Sequence, residues 1–337
     1  MKRLIQLYFN HSKETHERVE KMKVLSTGKL RTAIKARLKE NYPALTFQFF
    51  SSMEEAEPYL SEAEVLLTYG EDLNEAHIQK ASQLKWIMVL SAGLERMPLQ
   101  AIKEKGILLT NARGIHRIPM AEYTLSVMLQ VARGTKQVLS NESSKVWKKK
   151  TPIREITGST IGIIGTGAIG SEIARVAKAF RIKTLGVNRS GHIVEHFDEI
   201  YKNDDLLSML PKCDYVISVL PSTSETVDYF KKEQFSAMKQ SGVFINIGRG
   251  DTVKEQDLID ALNENKMAHA VLDVFKKEPL DSSHPFWEME NVTVTPHHSA
   301  ISDNYQPRAI EIFEHNLVHY QNKTNEFENV IDPDRGY

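Results

Sequence analysis

The run IGIIGTGAIG, residues 161–170, decides the fold. Ile161, Ile163 and Ile164 are β-branched and bounded by glycine, as in a parallel strand buried on both faces. Gly165, Gly167 and Gly170 follow at G-x-G-x-x-G spacing. The first glycine lets the chain turn sharply, the second lets backbone approach a pyrophosphate, and the third lets the next helix lie close to the strand. From Ile169 the apolar residues recur at Ile173, Val176, Ala177 and Phe180, one face of a helix. The start of that helix, at Ala168 and Ile169, offers unpaired N–H groups and a partial positive charge to phosphates. Glycine turns between strand and helix also arise from packing alone. The strand before and the amphipathic helix after are what make this one a dinucleotide clamp.

Outward from this point, short β-type runs alternate with helical patterns, the signature of a parallel sheet with crossover helices. Upstream, strands are expected at 4–9, 45–50, 64–69, 86–90 and 107–110, and helices at 29–40, 74–81 and 98–105. Residues 11–27 are polar and helix-like and find no place in this pattern. A long amphipathic helix over 118–133 suits a bridge between two domains. Downstream, strands at 183–187, 215–220, 243–247, 269–274 and 292–295 join the one at Ile161 to make six, the complement of a doubly wound dinucleotide fold. The last helix, near 303–320, carries Pro307 early, where a first turn tolerates it.

A chain of 337 residues suggests about two domains, each with its own core. Lys plus Arg is 43 and Asp plus Glu is 44, a net charge of −1, so no nucleic acid or other polyanion is implied as a partner. The basic run Lys148, Lys149, Lys150 reads as a solvated helix end. Cys213 is the only cysteine, which excludes an internal disulfide and fits a reducing, cytoplasmic setting. It stands beside an apolar run, as buried filler rather than a nucleophile. The N-terminal apolar stretch is too short for a signal segment, and nothing approaches membrane-spanning length. No metal enters this reading.

Four polar clusters stand at or just past the ends of the downstream strands, where open α/β sheets bind ligands. They are Asn188-Arg189-Ser190, Gly248-Arg249-Gly250, Asp273 through Glu278-Pro279, and Pro296-His297-His298. The motifs NIGRG (246–250), LDVFKKEPL (272–280) and TPHHSA (295–300), with LPSTSET (220–226) and HPFWEMENVTVTPH (284–297), resemble those of the D-isomer-specific 2-hydroxyacid dehydrogenases. The resemblance runs over about 64–309. Within that family, SAGLE (91–95), GIHRIPMAEY (114–123) and HPFW are most similar to the short glyoxylate and hydroxypyruvate reductases.

The resemblance implies an α/β protein of two Rossmann-like, doubly wound parallel-sheet domains. A flavodoxin-like substrate domain comes from both chain ends, 1–115 and 302–337, around an NAD(P)-binding Rossmann domain, 116–301, with the active site in the cleft between them. It also implies catalytic roles for Arg249, Glu278 and His297, and these make independent chemical sense. Reduction of a 2-oxo acid adds a hydride to carbon while a proton reaches the oxygen, and an imidazolium is the natural donor near neutral pH. A carboxylate on the far ring nitrogen fixes its orientation and favours its charged form. Arginine supplies a permanent planar fork for the substrate carboxylate and polarises the carbonyl. Singly, such an arginine is often a surface ion pair and such a histidine a structural hydrogen-bonder; together in their motifs they read as catalysis. His298 replaces the family's usual apolar neighbour, and the family gives the role to the histidine directly after Pro296. By the same resemblance Leu220, Pro221, Thr226 and Ile247 line the cofactor, and Asp273 binds the nicotinamide carboxamide, with a strand-end cap as its plainer role. Tyr69, Gly70, Ala92 and Gly93 hold the substrate with Arg249 and His297, and a homodimer is expected.

Cofactor choice reads from the end of the second downstream strand. The acid that an NAD enzyme sets against the ribose hydroxyls is missing after Val187. Asn188 is neutral, Arg189 offers a fork to a 2′-phosphate and Ser190 can donate to it, so NADP(H) is preferred and NAD(H) possible; a solvent-facing turn is the plainer alternative. The expectation is an NAD(P)H-dependent reductase of a small 2-oxo acid. The rival is a non-catalytic NAD(H)-sensing, co-repressor-like binding protein, which keeps the same Arg, Glu and His. The chain ends soon after its last helix, without the tail of a regulatory partner module, which favours the enzyme.

Overall fold

The structure, a computed structural model, describes residues 21–94, 96–149 and 153–334; the strand expected at 4–9, Glu95 and Lys150 lie outside them. The chain up to Arg113 and from Gln306 forms one compact unit, and Gly114–Tyr305 forms the other.

In the first unit β1 (Lys23–Ser26), β2 (Thr46–Phe49), β3 (Val65–Thr68), β4 (Trp86–Val89) and β5 (Leu108–Asn111) form a parallel sheet ordered β2-β1-β3-β4-β5. This is the flavodoxin-like order. β1 corrects the polar, helix-like reading over the described part of 11–27: Lys23–Ser26 is a central strand that buries Val24 and Leu25, while 11–20 lie outside the described residues. Four residues are too few to show a period, so their polar surroundings dominate the pattern. Helices α1 (Thr32–Asn41), α2 (Met53–Ala56), α3 (Glu75–Lys80) and α4 (Leu99–Glu104) return the chain between strands. The last helix, Tyr305–Asn322, closes the core of this unit: Phe313 and Tyr320 stack on Trp86 with centroids 5.3 and 5.4 Å away, and Trp86 Nε1 donates to Thr110 Oγ1 at 2.9 Å.

The second unit opens with α5 (Arg117–Ala132) and α6 (Thr135–Ser143), followed by β6 (Thr160–Ile164), α7 (Ala168–Ala179), β7 (Lys183–Val187) and β8 (Glu199–Tyr201). Then come α8 (Leu206–Met209), β9 (Tyr215–Ser218), α9 (Lys232–Ala237), β10 (Val243–Asn246), α10 (Glu255–Asn263), β11 (His269–Leu272) and β12 (Val292–Val294). All strands are parallel, in the order β12-β11-β10-β9-β6-β7-β8. The sheet has seven strands rather than the six expected. The extra one, β8, is a three-residue edge strand, too short and too polar to announce itself. Counted from β6 the order is that of a dinucleotide-binding sheet, and its direction reverses between β6 and β9. Strand residues alternate between two cores: Val216, Phe244 and Leu272 face one, while Ile163, Ile217, Ile245 and Val271 face the other. The long helix expected to bridge two domains is α5, and it lies wholly within this unit. Its Val127 and Met128 share a core with Ile173, Ala174 and Ala177 of α7. Cys213 is fully buried, and burial pushes its thiol up to about 12, so it is filler, as expected. No helix among the described residues is long and apolar enough to cross a membrane.

Candidate active site

Parallel register draws one row across the second sheet. Val187, Ile164, Ser218, Asn246, Leu272 and Val294 are paired neighbours in β7, β6, β9, β10, β11 and β12. The residues that follow them, including Asn188, Gly165, Ile247, Asp273 and Thr295, therefore leave the sheet side by side at its C-terminal edge.

Sterics explain the glycine loop. Gly165 turns with φ +104°, and a Cβ at Gly170 would lie 2.0 Å from the Gly165 carbonyl oxygen, so only glycine lets α7 start this close to β6. Gly167 precedes Ala168 and Ile169 in extended backbone, with open space where a Cβ would stand. The first-turn N–H groups have no acceptor earlier in the helix, so the loop and helix end fit a dinucleotide pyrophosphate. Beside them Asn188 Nδ2 donates to Thr166 Oγ1 at 3.1 Å and to the His192 carbonyl at 3.0 Å, while its Oδ1 accepts from Gly191 N–H at 2.6 Å. Ser190 Oγ lies 2.7 Å from His192 Nδ1. Arg189 Nη2 meets Glu225 Oε2 at 3.1 Å, with the two side chains 77% and 70% exposed. His192 and Glu225 were not singled out from the sequence. Glu225 belongs to the loop after β9, where Thr226 Oγ1 donates to the Pro221 carbonyl at 2.6 Å and accepts from Thr223 N–H at 2.8 Å. Leu220 is half-buried against the core, and Ile247 is buried with its N–H on the Ser218 carbonyl.

The arginine and the histidine are held more tightly. Asn246 Oδ1 accepts from Gly248 N–H and its Nδ2 donates to the Arg249 carbonyl, each at 3.1 Å, and Thr252 Oγ1 donates to that same carbonyl at 2.7 Å. A Cβ at Gly250 would lie 1.9 Å from the Phe275 carbonyl carbon, so glycine is what allows the Arg249 loop to lie against the loop after β11. In that second loop Glu278 Oε1 accepts from Phe275 N–H at 2.9 Å, and Oε2 is 2.8 Å from His297 Nδ1. An ionised carboxylate only accepts, which puts the proton on Nδ1 and leaves Nε2 without a hydrogen-bond partner among the described residues. His297 has φ +51°, left-handed backbone that is uncommon for a residue with a side chain.

Asp273 lies beneath this histidine. It is fully buried: Oδ1 accepts from Thr295 Oγ1 at 2.6 Å and His298 N–H at 3.0 Å, and Oδ2 accepts from Ser299 N–H at 2.9 Å. The strand-end cap is thus the role its geometry displays. His298 goes elsewhere, its ring edge-on to Tyr123 at 5.6 Å, so only His297 pairs with Glu278. A third histidine, His116 at the start of α5, escaped the sequence reading. Burial, with the Arg249 charge adding, pushes its imidazole down to about 4, and its ring lies 5.1 Å from Tyr305.

The first unit carries the four remaining candidates. Asn111 Nδ2 donates to the Ala92 carbonyl at 2.9 Å, and Ser91 Oγ lies 3.1 Å from the Gly93 carbonyl. The N–H groups of Ala92 and Gly93 have no acceptor among the described residues, so two adjacent donors remain for an anion. Gly70 N–H is committed to Thr68 Oγ1 at 2.9 Å, and Tyr69 Oη accepts from Gln306 Nε2 at 2.9 Å.

The fold and this strand-end row define a Rossmann-type, dinucleotide-binding oxidoreductase. Residues 125–299 match the model of the D-isomer specific 2-hydroxyacid dehydrogenase, NAD binding domain, and the chain belongs to that family of NAD(P)-dependent enzymes. It is 30% identical over 282 residues to glyoxylate/hydroxypyruvate reductase B of Pectobacterium carotovorum, covering 82% of this chain and 88% of the relative. Among solved structures, a D-isomer specific 2-hydroxyacid dehydrogenase family protein from Aeromonas salmonicida is 33% identical with a TM-score of 0.82, covering 93% of this chain and 100% of that one. An NADPH-dependent glyoxylate/hydroxypyruvate reductase from Sinorhizobium meliloti, in complex with NADP and sulfate, is 25% identical with a TM-score of 0.77, covering 94% and 100%.

Proposed function

We propose that the protein reduces a small 2-oxo acid of the glyoxylate or hydroxypyruvate kind to the 2-hydroxy acid, of D configuration where the product is chiral, with NADPH preferred and NADH accepted. The observation that carries this reading is the Glu278–His297 pair, 2.8 Å apart, with the Glu278 loop packed against the Arg249 loop at the edge of a dinucleotide-binding sheet. The names of the reductases that this chain is similar to support the substrate class.

The glycine loop, with Ala168 and Ile169, holds the pyrophosphate, and Leu220, Pro221 and Thr226 flank the rest of the cofactor. When bound, the cofactor supplies the hydride. His297 holds a proton at Nε2 for the carbonyl oxygen, while Glu278 at Nδ1 fixes the ring plane and stabilises the imidazolium. Arg249 binds the substrate carboxylate and polarises the carbonyl. The N–H groups of Ala92 and Gly93, which have no acceptor among the described residues, are assigned to substrate binding. Asp273 serves the His297 loop rather than the nicotinamide, because its carboxylate is buried and holds three donors.

Preference for NADPH rests on the neutral Asn188 and on Arg189 and Ser190 beside it. The exposed Arg189–Glu225 pair contributes little, so a 2′-phosphate can take the place of Glu225. A homodimer is supported by apolar side chains that α6 and the segment after it leave in water: Val138, Leu139, Val146 and Trp147, the last 90% exposed. The lone, buried cysteine suits the cytoplasm.

The test is a panel of glyoxylate, hydroxypyruvate, pyruvate and branched 2-oxo acids with NADPH or NADH, followed at the cofactor absorbance, with the product resolved on a chiral column. Turnover of glyoxylate and of hydroxypyruvate is expected; the chiral column reads the D configuration from the hydroxypyruvate product, since the glyoxylate product has no stereocentre. Tight cofactor binding without turnover of any member would return the non-catalytic, NAD(H)-sensing reading.

A further inference from the structure

We infer that Tyr123 and Thr295 are positioning residues for His297: they hold the buried Asp273 carboxylate through a directed hydrogen-bond relay, and Asp273 holds the backbone that aims the histidine. This rests on the assignment of His297 as proton donor.

Each proton in the relay has one possible place. Asp273 has no exposed surface and both its carboxylate oxygens accept from backbone N–H groups, and the Thr295 hydroxyl, 2.6 Å from Oδ1, donates to it as well. With that proton committed, the Tyr123 hydroxyl, 2.6 Å from Thr295 Oγ1, must be the donor of the preceding bond. Burial, with Thr295 opposing and the Asp273 charge adding, keeps the Tyr123 phenol above its ordinary range, so it remains a donor at every working pH.

At the far end of the relay, three consecutive N–H groups are anchored on Asp273. His297 N–H donates to the Asp273 carbonyl at 2.8 Å, His298 N–H to Oδ1 at 3.0 Å, and Ser299 N–H to Oδ2 at 2.9 Å. The peptide that follows His297 is therefore clamped on the side chain of Asp273, and that clamp is what opposes the cost of φ +51° at a histidine. Without it the loop is free to relax toward ordinary backbone and to turn Nε2 away. Tyr123 and Thr295 touch no reacting atom in this account. Their effect passes through Asp273, and the edge-on ring of His298 against Tyr123 closes the same cluster from the other side.

Tyr123→Phe keeps the ring and removes the first donor. Thr295→Val removes the hydroxyl at nearly constant shape, and Thr295→Ser restores it. With glyoxylate or hydroxypyruvate and NADPH, kcat should fall about three- to tenfold in Tyr123→Phe and about ten- to a hundredfold in Thr295→Val, with KM for both reactants unchanged. Thr295→Ser should recover to within about twofold of wild type. Independently of activity, exchange of the His298 and Ser299 amide protons, followed by NMR, should quicken about tenfold or more in both damaging variants. Wild-type kcat and unchanged exchange in Tyr123→Phe and Thr295→Val, or failure of Thr295→Ser to recover, would overturn the relay. His297→Ala assayed beside them separates the two claims. An inactive His297→Ala with unaffected relay variants removes the relay alone, and an active one removes the donor assignment on which it rests.

Discussion

Two stretches of one sheet edge are built in opposite ways. At the ends of β10, β11 and β12, Arg249, Glu278 and His297 are fixed by buried Asn246 and Asp273, by backbone donors, and by a glycine that brings two loops to contact distance. At the end of β7, Asn188 is tied to the glycine loop, but Arg189 reaches into solvent and, among the described residues, pairs with the exposed Glu225. The same register delivers both sets of residues, so the difference lies in what surrounds them. Proton delivery depends on geometry to a fraction of an ångström, whereas recognition of a phosphate needs only a mobile charge within reach. Substitutions at the first end should therefore act on turnover, and those at the second on the choice of cofactor.

Apart from loss of the proton donor itself, the largest effect is expected at Arg249. Arg249→Ala should lower kcat/KM for the 2-oxo acid about a hundred- to a thousandfold with either cofactor, and Arg249→Lys should recover little of it, because a point charge cannot replace a planar fork. Steady-state kinetics with both cofactors check this, and a wild-type Arg249→Lys would make the arginine structural.

Burial in the same unit, near Arg249 and at the start of β11, has a second consequence, in stability. His116, beside Arg249, and His269, on β11, are both pushed from 6.5 to about 4, by burial first and then by the charges of Arg249 and Lys136 respectively. Between those values the unfolded chain binds more protons than the folded one. The stability of the fold is then complete above about pH 6.5 and falls as pH drops toward 4, by roughly 3 kcal/mol for each histidine. Thermal midpoints across pH 4–7 should show that slope, and His116→Gln or His269→Gln should flatten it.

A smaller effect than at Arg249 belongs to the exposed end. Arg189→Ala should weaken kcat/KM for NADPH by about tenfold or somewhat more and leave NADH unchanged, since one charge-assisted bond at a solvated site is lost. Equal losses with both cofactors would break the contrast between the two ends.

These two ends were not equally legible in the sequence. Gly165, Gly167 and Gly170 are readable because sterics alone dictate their spacing, and the 2.0 Å approach at Gly170 shows why. Arg249, Glu278 and His297 stand in motifs at strand ends, so their types and positions could be named before any geometry was known. What supports them could not. Tyr123 and Thr295 are 172 positions apart, His116 opens a helix like any polar residue, and Glu225 and His192 gain meaning only through partners in space. Asp273 was visible, but whether its carboxylate faces a ligand or the chain itself depends on three donors from another strand end. Among the strands, β1 and β8 were missed because three or four residues in polar surroundings carry no period.

The measurement that bears most directly on the account is a single turnover of His297→Ala. Enzyme loaded with NADPH is mixed rapidly with glyoxylate or hydroxypyruvate, and the cofactor absorbance is followed beside wild type. The account predicts that the variant binds NADPH as wild type does while its rate of cofactor oxidation falls about a hundred- to ten-thousandfold. A variant that oxidises NADPH at the wild-type rate would show that the proton comes from elsewhere, and the roles given to Glu278 and Asp273 would go with it.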